Sequence, residues 1–300
     1  MKNTNELKGI LLAILSATIF GTHPTLVYFL RSGGMNILPT IFVGCIICLA
    51  IYFSVLLFTN NLKNIKVSKK QLQKLIISSI LFYSTIGVLF YSFTLIPSGL
   101  ASVIHFAYPA LVTIISVLTK RDKLTKALLI ALVSTFVGVL LVSNPSNTNI
   151  NPIGIILAII SAFLYAGYIF MINDECFTDL NNTIFVFYIA LIGAILLLIT
   201  ITFESIFILN INELVGSYSN LVLIGGLALG ITQGVGVFSF AKAIKYIGGP
   251  MGGALAAFEP LTAVIIGVIF FKEPMPIYCV IGCLLILIST IYLSFSKINE

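Results

Sequence analysis

Apolar residues along the chain gather into ten runs, at 9–30, 37–58, 74–95, 99–119, 124–143, 152–172, 183–203, 220–244, 249–271 and 275–295. About 20 apolar residues is the length a helix needs to cross a hydrocarbon core of roughly 30 Å. Between the runs lie "RSGGMN", "KRDKLT" and "NPSNTNINP", in which Gly, Pro, Asn and charge interrupt a helix. The pattern predicts an all-α integral membrane protein with ten transmembrane helices and loops too short for a soluble domain. The first run is too long for a signal peptide and lacks a small-x-small cleavage site, so it is expected to stay as a mature helix.

The pattern is also written twice. "GILLAILSA" (9–17) and "GIILAIISA" (154–162) share seven of nine residues at an offset of 145. Further on, "TLIPSGLASVIHFAYPALVTIISVLTKRDKLT" (94–125) pairs with "KYIGGPMGGALAAFEPLTAVIIGVIFFKEPMP" (245–276) at an offset of 151. That register aligns Pro109 with Pro260, Arg121 with Lys272 and Asp122 with Glu273, and places the inserted residues in the longer loop at 204–219. Such a duplication divides the chain into repeats 1–148 and 149–300, each of five helices. Five is odd, so the second copy enters the membrane from the opposite face. Two inverted five-helix repeats are the architecture of many secondary transporters.

Composition agrees with the periodicity. The chain is 59% hydrophobic and only 9% charged, with a mean hydropathy of +1.14, against about 25% charged residues in soluble proteins. The net charge of +6 is sorted by loop, which reads as orientation in a bilayer rather than affinity for nucleic acid. With the N-terminus in the cytoplasm, the inside receives Lys2, Lys8, Lys63, Lys66, Lys69, Lys70, Lys74, Lys120, Arg121, Lys123, Lys126, Lys242, Lys245 and Lys297. The outside receives Arg31 and Lys272, with the acidic Glu204 and Glu213. Both termini are therefore expected in the cytoplasm of a cell-membrane protein.

The doubled ten-run pattern, the two openings "GILLAILSATIFG" and "GIILAIISAFLYAG", and "FEPLTAVIIGVIFFKEPMP" in the ninth run resemble the drug/metabolite transporter superfamily, specifically its bacterial EamA-type exporters. The resemblance covers the whole chain. It implies a ten-helix inverted-repeat fold, a cavity lined mainly by helices 1, 3, 4, 6, 8 and 9, and the movement of amino acids or other small metabolites. One departure stands out: the first half has "AYP" where the second has "FEP", so a single repeat carries the charge.

Helix faces supply the candidate residues. Gly9, Ala13, Ser16, Phe20 and His23 form one stripe of helix 1, and Gly154, Ala158, Ser161, Tyr165 and Tyr168 form the same stripe of helix 6. Small residues at one end allow close packing; His23, Tyr165 and Tyr168 at the other are cavity candidates. In helix 8, Gly226, Gly230 and Gly234 repeat every four residues, a helix-packing groove, and Gln233 among them needs a partner helix or the cavity. "KYIGGPMGG" marks the turn between helices 8 and 9 and a hinge. Tyr91 shares a helix 3 stripe with Ser84, Gly87 and Thr94 and is a further candidate.

Ionisable groups inside a membrane are expensive and usually functional. Here they are His23, His105 and Glu259, with Lys242 snorkelling to a surface. Glu259 precedes Pro260, where the helix is irregular, and two readings stand for it: binding an amine or exchanging a proton, or pairing with a neighbouring helix. The histidines likewise serve proton-linked steps or are satisfied by neighbours.

The cysteines at 45, 48, 279 and 283 lie in apolar helices and suit neither a metal nor a redox centre. With no phosphate loop, H-E-x-x-H or G-x-S-x-G, no cofactor, enzyme activity or direct ATP coupling is expected. The expected function is a secondary transporter, moving amino acids or related small polar metabolites outward by alternating access. The partners are the substrate, membrane lipid and, under one reading, protons. A membrane sensor of the same fold and a passive facilitator of a sugar, nucleoside or organic acid are the alternatives.

Overall fold

The computed structural model describes residues 2–119, 125–142, 151–207, 220–272 and 275–298, and all regular structure among them is helical. Lys120, Arg121, Asp122, Lys123, Glu213 and Glu273 lie outside these residues. The helices are α1 (Lys2–Gly21), α2 (His23–Ser32), α3 (Ile37–Phe58), α4 (Lys69–Ser92), α5 (Ser98–His105), α6 (Tyr108–Leu118), α7 (Lys126–Val142), α8 (Pro152–Ile172), α9 (Asn182–Phe207), α10 (Asn220–Leu255), α11 (Phe258–Phe270) and α12 (Ile277–Ile298). Among the described residues, six segments are long and apolar enough to span a bilayer: Asn5–Ser32, Ile37–Phe58, Lys69–Ser92, Pro152–Ile172, Asn182–Phe203 and Ile224–Ile247.

Three of the expected spans are broken, each just ahead of a proline. Thr22 separates α1 from α2 before Pro24, Phe106–Ala107 separates α5 from α6 before Pro109, and Ala256–Ala257 precedes α11 and Pro260. A proline removes one i→i−4 donor and its ring crowds the carbonyl one turn back, so an interruption at that place follows. Helix α8 carries Ile169 where the 145 register matches Pro24, and runs unbroken. One expectation is corrected. "KYIGGPMGG" is not a turn; α10 continues through it for 36 residues, and the interruption falls later, at Ala256–Ala257. Proline is tolerated within membrane helices when neighbours re-satisfy the freed groups.

Packing respects the duplication. Helix α1 lies along α10 and, correspondingly, α4 along α8; α3 packs on α9, α7 on α12 and α5 on α11. The pairs run in defined senses. On α1 and α10, Gly9 meets Ile247 and Ser16 Oγ donates to the Gly236 carbonyl at 2.8 Å, and beyond the break Leu30 of α2 meets Gly225, an antiparallel arrangement. On α4 and α8, Leu81 meets Gly167 and Ser92 Oγ donates to the Gly154 carbonyl at 2.9 Å, also antiparallel. Helices α3 and α10 run parallel, with Val43 at Gly226, Ile47 at Gly230 and Tyr52 at Gly234, as do α4 and α9, where Tyr83 sits on Gly193. Cys45 against Ala190 and Phe53 against Phe187 make α3 and α9 antiparallel. Followed around this circuit, α1 and α8, the first helices of the two repeats, point in opposite directions.

The stripes are filled as spacing predicts. Ala13, Ser16, Ala17, Ala158, Ser161, Ala162 and Ala166 are buried between helices, while Leu11, Leu15, Ile156, Ile160 and Phe163 point outward. An outside of large apolar side chains and an inside of small ones suits lipid as the solvent. The glycines of α10 form a packing groove: a Cβ at Gly230 would lie 2.4 Å from Ile47 Cβ and 2.9 Å from the Gly44 carbonyl oxygen. Gly230→Ala is expected to destabilise the protein by about 1–3 kcal/mol, the usual scale of overpacking, read as a lowered unfolding temperature in detergent.

At the lysine-rich end, Ser68 caps α4 in a capping box with Gln71, and Gln71 Nε2 also donates to the Cys176 carbonyl at 2.8 Å. Beside it Lys74 pairs with Asp174. The Lys74 ammonium and the Cys176 amide hold the Asp174 carboxyl well below the usual carboxylate range. With its folded value depressed, the pair's contribution is complete above the unfolded carboxyl value near pH 4 and is lost as the pH falls below it. Asp174→Asn is therefore expected to cost under about 1 kcal/mol at neutral pH, a deficit that shrinks as stability is measured below pH 4.

Candidate functional site

The three broken helices meet at one place. A cavity of about 50 Å³ is lined by Phe20, His23 and Pro24 of the α1–α2 break, by Phe82, Thr85, Ile86, Leu89, Phe90 and Phe93 from α4 and its end, by Ser102 and His105 of α5, by Tyr165 of α8 and by Glu259 of α11. It draws on both repeats, and Phe20 and Tyr165 are counterparts in the 145 register. The space is room for water and little else. It shares Pro24 and Phe93 with a vestibule of about 520 Å³ bounded also by Val27, Tyr28, Arg31, Ser32, Thr94, Ser98 and Phe271.

A second vestibule of about 330 Å³ lies at the lysine-rich end, bounded by Ile172, Asn173, Asp174, Phe177, Ile244, Lys245 and others. Ile172, Asn173 and Phe177 match Val27, Tyr28 and Ser32 at the 145 offset, and Ile244 and Lys245 match Phe93 and Thr94 at 151. The two vestibules are therefore the same feature built once by each repeat, at opposite ends. Of the two, among the described residues, the Arg31 vestibule is the one that shares lining residues with the central cavity. On the other side α1 and α10 are pressed together, with Gly9 against Tyr246 and Ile247 and Ser16 bonded to Gly236.

Each candidate side chain has a definite setting. His23 Nε2 lies 3.2 Å from Thr232 Oγ1, and its ring meets Phe20 and Phe90 edge-on. His105 Nδ1 lies 2.9 Å from Ser161 Oγ, with Tyr108 and Tyr165 against its ring. Tyr165 stands at the centre of an aromatic group, 4.6 Å from Tyr108 and 5.5 Å from Tyr168 between ring centroids. Tyr168 packs at a tilt against Phe82, 5.0 Å between ring centroids, behind the cavity wall. Glu259 occupies the first turn of α11, and its carbonyl approaches Gly21 of α1 so closely that a Cβ there would lie 2.6 Å from it. No salt bridge to Glu259 is found among the described residues.

Two candidates lie elsewhere. Tyr91 is 52% exposed on the outer face of α4; Ser84 of its stripe is exposed there too, while Thr94, past the end of the helix, is exposed at the Arg31 vestibule. Helix α4 faces the cavity through Thr85, Leu89 and Phe90, a face turned by one residue. Gln233 is buried in a knot between the repeats: its Nε2 donates to Tyr83 Oη at 3.2 Å, and Cys45 Sγ lies 3.0 Å from that oxygen and 3.1 Å from the Ala190 carbonyl. Cys45 is thus a packing residue, and Lys242 sits with its ammonium over the Phe238 ring. Thr232, Tyr108, Thr85 and Ser102 were not singled out by spacing. Tyr108 was within reach, because it stands where the second repeat has Glu259.

Among known proteins, the model of the EamA-like transporter family matches residues 7–144 and again 152–295. No curated protein matches the chain. One solved crystal structure superposes with a TM-score of 0.68 over 97% of this chain and 99% of its own, at 15% identity, a likeness of fold alone.

Proposed function

Because the chain belongs to the EamA-like transporter family, and so is a multi-pass membrane transporter of small molecules, we propose that it is an ATP-independent carrier working by alternating access. The observation that carries this reading is the pair of repeat-related vestibules at opposite ends of one central cavity. In the proposed cycle the cavity communicates with the Arg31 vestibule while α1 and α10 close the other end. Exchange of roles between the repeats then opens the cavity to the lysine-rich side. Ten spans in two five-helix repeats, 1–148 and 149–300, with the lysine-rich end in the cytoplasm of a cell membrane, fit the sorting of basic residues.

The cargo in this reading is a small polar metabolite bearing an amine, the class that includes amino acids and their relatives. His23, His105, Tyr165 and Glu259 contact it, and Tyr168 supports their rings. Glu259 is the lining carboxylate, and so the group at which amine and proton compete. Outward transport is the expected direction. Differential affinity for the two states is what lets substrate shift their populations.

The test has two stages. Purified protein is screened for ligands that raise its unfolding temperature, and a labelled hit is then offered to proteoliposomes preloaded with unlabelled compound. Transient accumulation without ATP supports the carrier. Binding without exchange for every hit rejects it in favour of a receptor.

A further inference from the structure

The polar groups of the central cavity are sorted by hydrogen-bonding sense. A hydroxyl has one proton to give. Ser161 gives its proton to the Ala158 carbonyl at 2.7 Å, so the 2.9 Å contact with His105 requires His105 Nδ1 to be the donor. In the neutral ring Nε2 is then an acceptor. The same holds for His23: Thr232 shares its one proton between the carbonyls of Ala228 and Leu229, at 2.7 and 3.0 Å, so His23 Nε2 donates to Thr232 and, in the neutral ring, Nδ1 is left as an acceptor. Thr85 donates to the Leu81 carbonyl at 2.7 Å and Ser102 to the Ser98 carbonyl at 2.9 Å, and each keeps only lone pairs for the cavity.

With the Glu259 carboxylate, the described wall therefore offers acceptors throughout, and among its described side chains the Tyr165 hydroxyl is the remaining donor. Around them stand the faces and edges of Phe20, Phe82 and Phe90. Among the described residues, neither Lys nor Arg lines the cavity. Acceptors, one carboxylate and aromatic faces are complementary to a hydrogen-bond-donating cation with an apolar body. They are a poor match for a carboxylate, which would be desolvated with a single hydroxyl to meet it.

Resting on the carrier reading above, we propose that this cavity takes a protonated amine that carries no carboxylate. Its ammonium donates to Glu259 and to the free imidazole nitrogens, and its body lies against the rings. The narrowness of the cavity in this state requires the rings to part as the amine comes through the Arg31 vestibule. Within the amine-bearing class, zwitterionic amino acids are the disfavoured members.

Four probes that share one skeleton test this: 2-phenylethylamine, phenylalanine, 3-phenylpropionate and 2-phenylethanol, titrated against the purified full-length protein with unfolding temperature as the readout. The amine is expected to bind about tenfold or more tighter than the other three, the scale of a charge-assisted hydrogen bond. Glu259→Gln should abolish that preference, and Glu259→Asp should retain it in part. Phenylalanine binding as tightly as the amine overturns the proposal, and so does a preference that survives Glu259→Gln. If none of the four binds, the proposal also fails. The carrier reading then stands or falls separately, on whether Ser102→Cys is labelled from both sides of the membrane.

Discussion

Glu259→Gln is expected to lower substrate flux in proteoliposomes by about 100-fold, the scale of a lost charge-assisted hydrogen bond of about 3 kcal/mol. The folded yield should change little. Glu259 sits in the first turn of a helix already interrupted ahead of Pro260. Among the described residues it holds no ion pair that the substitution would break, and Gln keeps its shape. An interior carboxylate without a structural partner is costly, and a functional role is the usual reason for one. Purification of the variant as a monodisperse species, followed by flux of the identified substrate, checks this. Wild-type flux would move the binding group elsewhere, whereas loss of the folded protein would make Glu259 a structural strut.

The second large effect is conformational and uses the duplication. A Cβ at Gly9 would lie 2.5 Å from Ile247 Cγ2 and 2.8 Å from Tyr246 Cβ. Its counterpart Gly154 would meet Ile96 Cγ2 at 2.7 Å and Leu95 Cβ at 3.0 Å. Ile247 and Ile96 are themselves counterparts, as are Tyr246 and Leu95, at the 151 offset. Each repeat thus packs one end of the molecule with the same glycine contact. Gly9→Leu should prise α1 from α10 and favour opening at the lysine-rich end, and Gly154→Leu should favour the other end. Overpacking of about 1–3 kcal/mol corresponds to a population shift of about 5–150-fold. A carrier must visit both states, so each variant is expected to lose about tenfold or more in exchange rate. Opposite changes in thiol labelling of the two vestibules would accompany the loss. A shift of both variants in one direction would mean that the two contacts do not play matching roles.

Much of this was legible in the sequence, and the limits have physical causes. The bounds of α3 and α8 fall where the apolar runs at 37–58 and 152–172 begin and end, because lipid length sets both. The repeat registers 145 and 151, read from matching residues, also pair the glycine contacts and the vestibules. The break ahead of Pro260 followed from proline chemistry, but the apparent turn at "KYIGGPMGG" did not form, because proline and glycine mark a weak point without deciding whether the helix uses it.

Side-chain direction was the harder part. Tyr91 and Phe90 are adjacent, and one residue of rotation sends the first outward and the second into the cavity. Gln233 was read as bridging a helix or facing the cavity, and only the position of Tyr83 on another helix decides for the bridge. The acceptor character of the cavity was likewise out of reach. It depends on where the protons of Thr232 and Ser161 go, and those bonds join residues more than fifty positions apart from the histidines they orient.

The central claim is that one cavity between the repeats is opened to either side of the membrane in turn. Ser102 lines that cavity, and Ser102→Cys, in protein whose five native cysteines have been replaced, can be treated in oriented vesicles with a membrane-impermeant thiol reagent. The account predicts labelling from each face when that face alone is exposed to reagent, with Gly9→Leu raising the rate from the lysine-rich side and lowering it from the other. Labelling from one face only, at a rate unmoved by Gly9→Leu or Gly154→Leu, would contradict alternating access and leave a fixed pocket in its place.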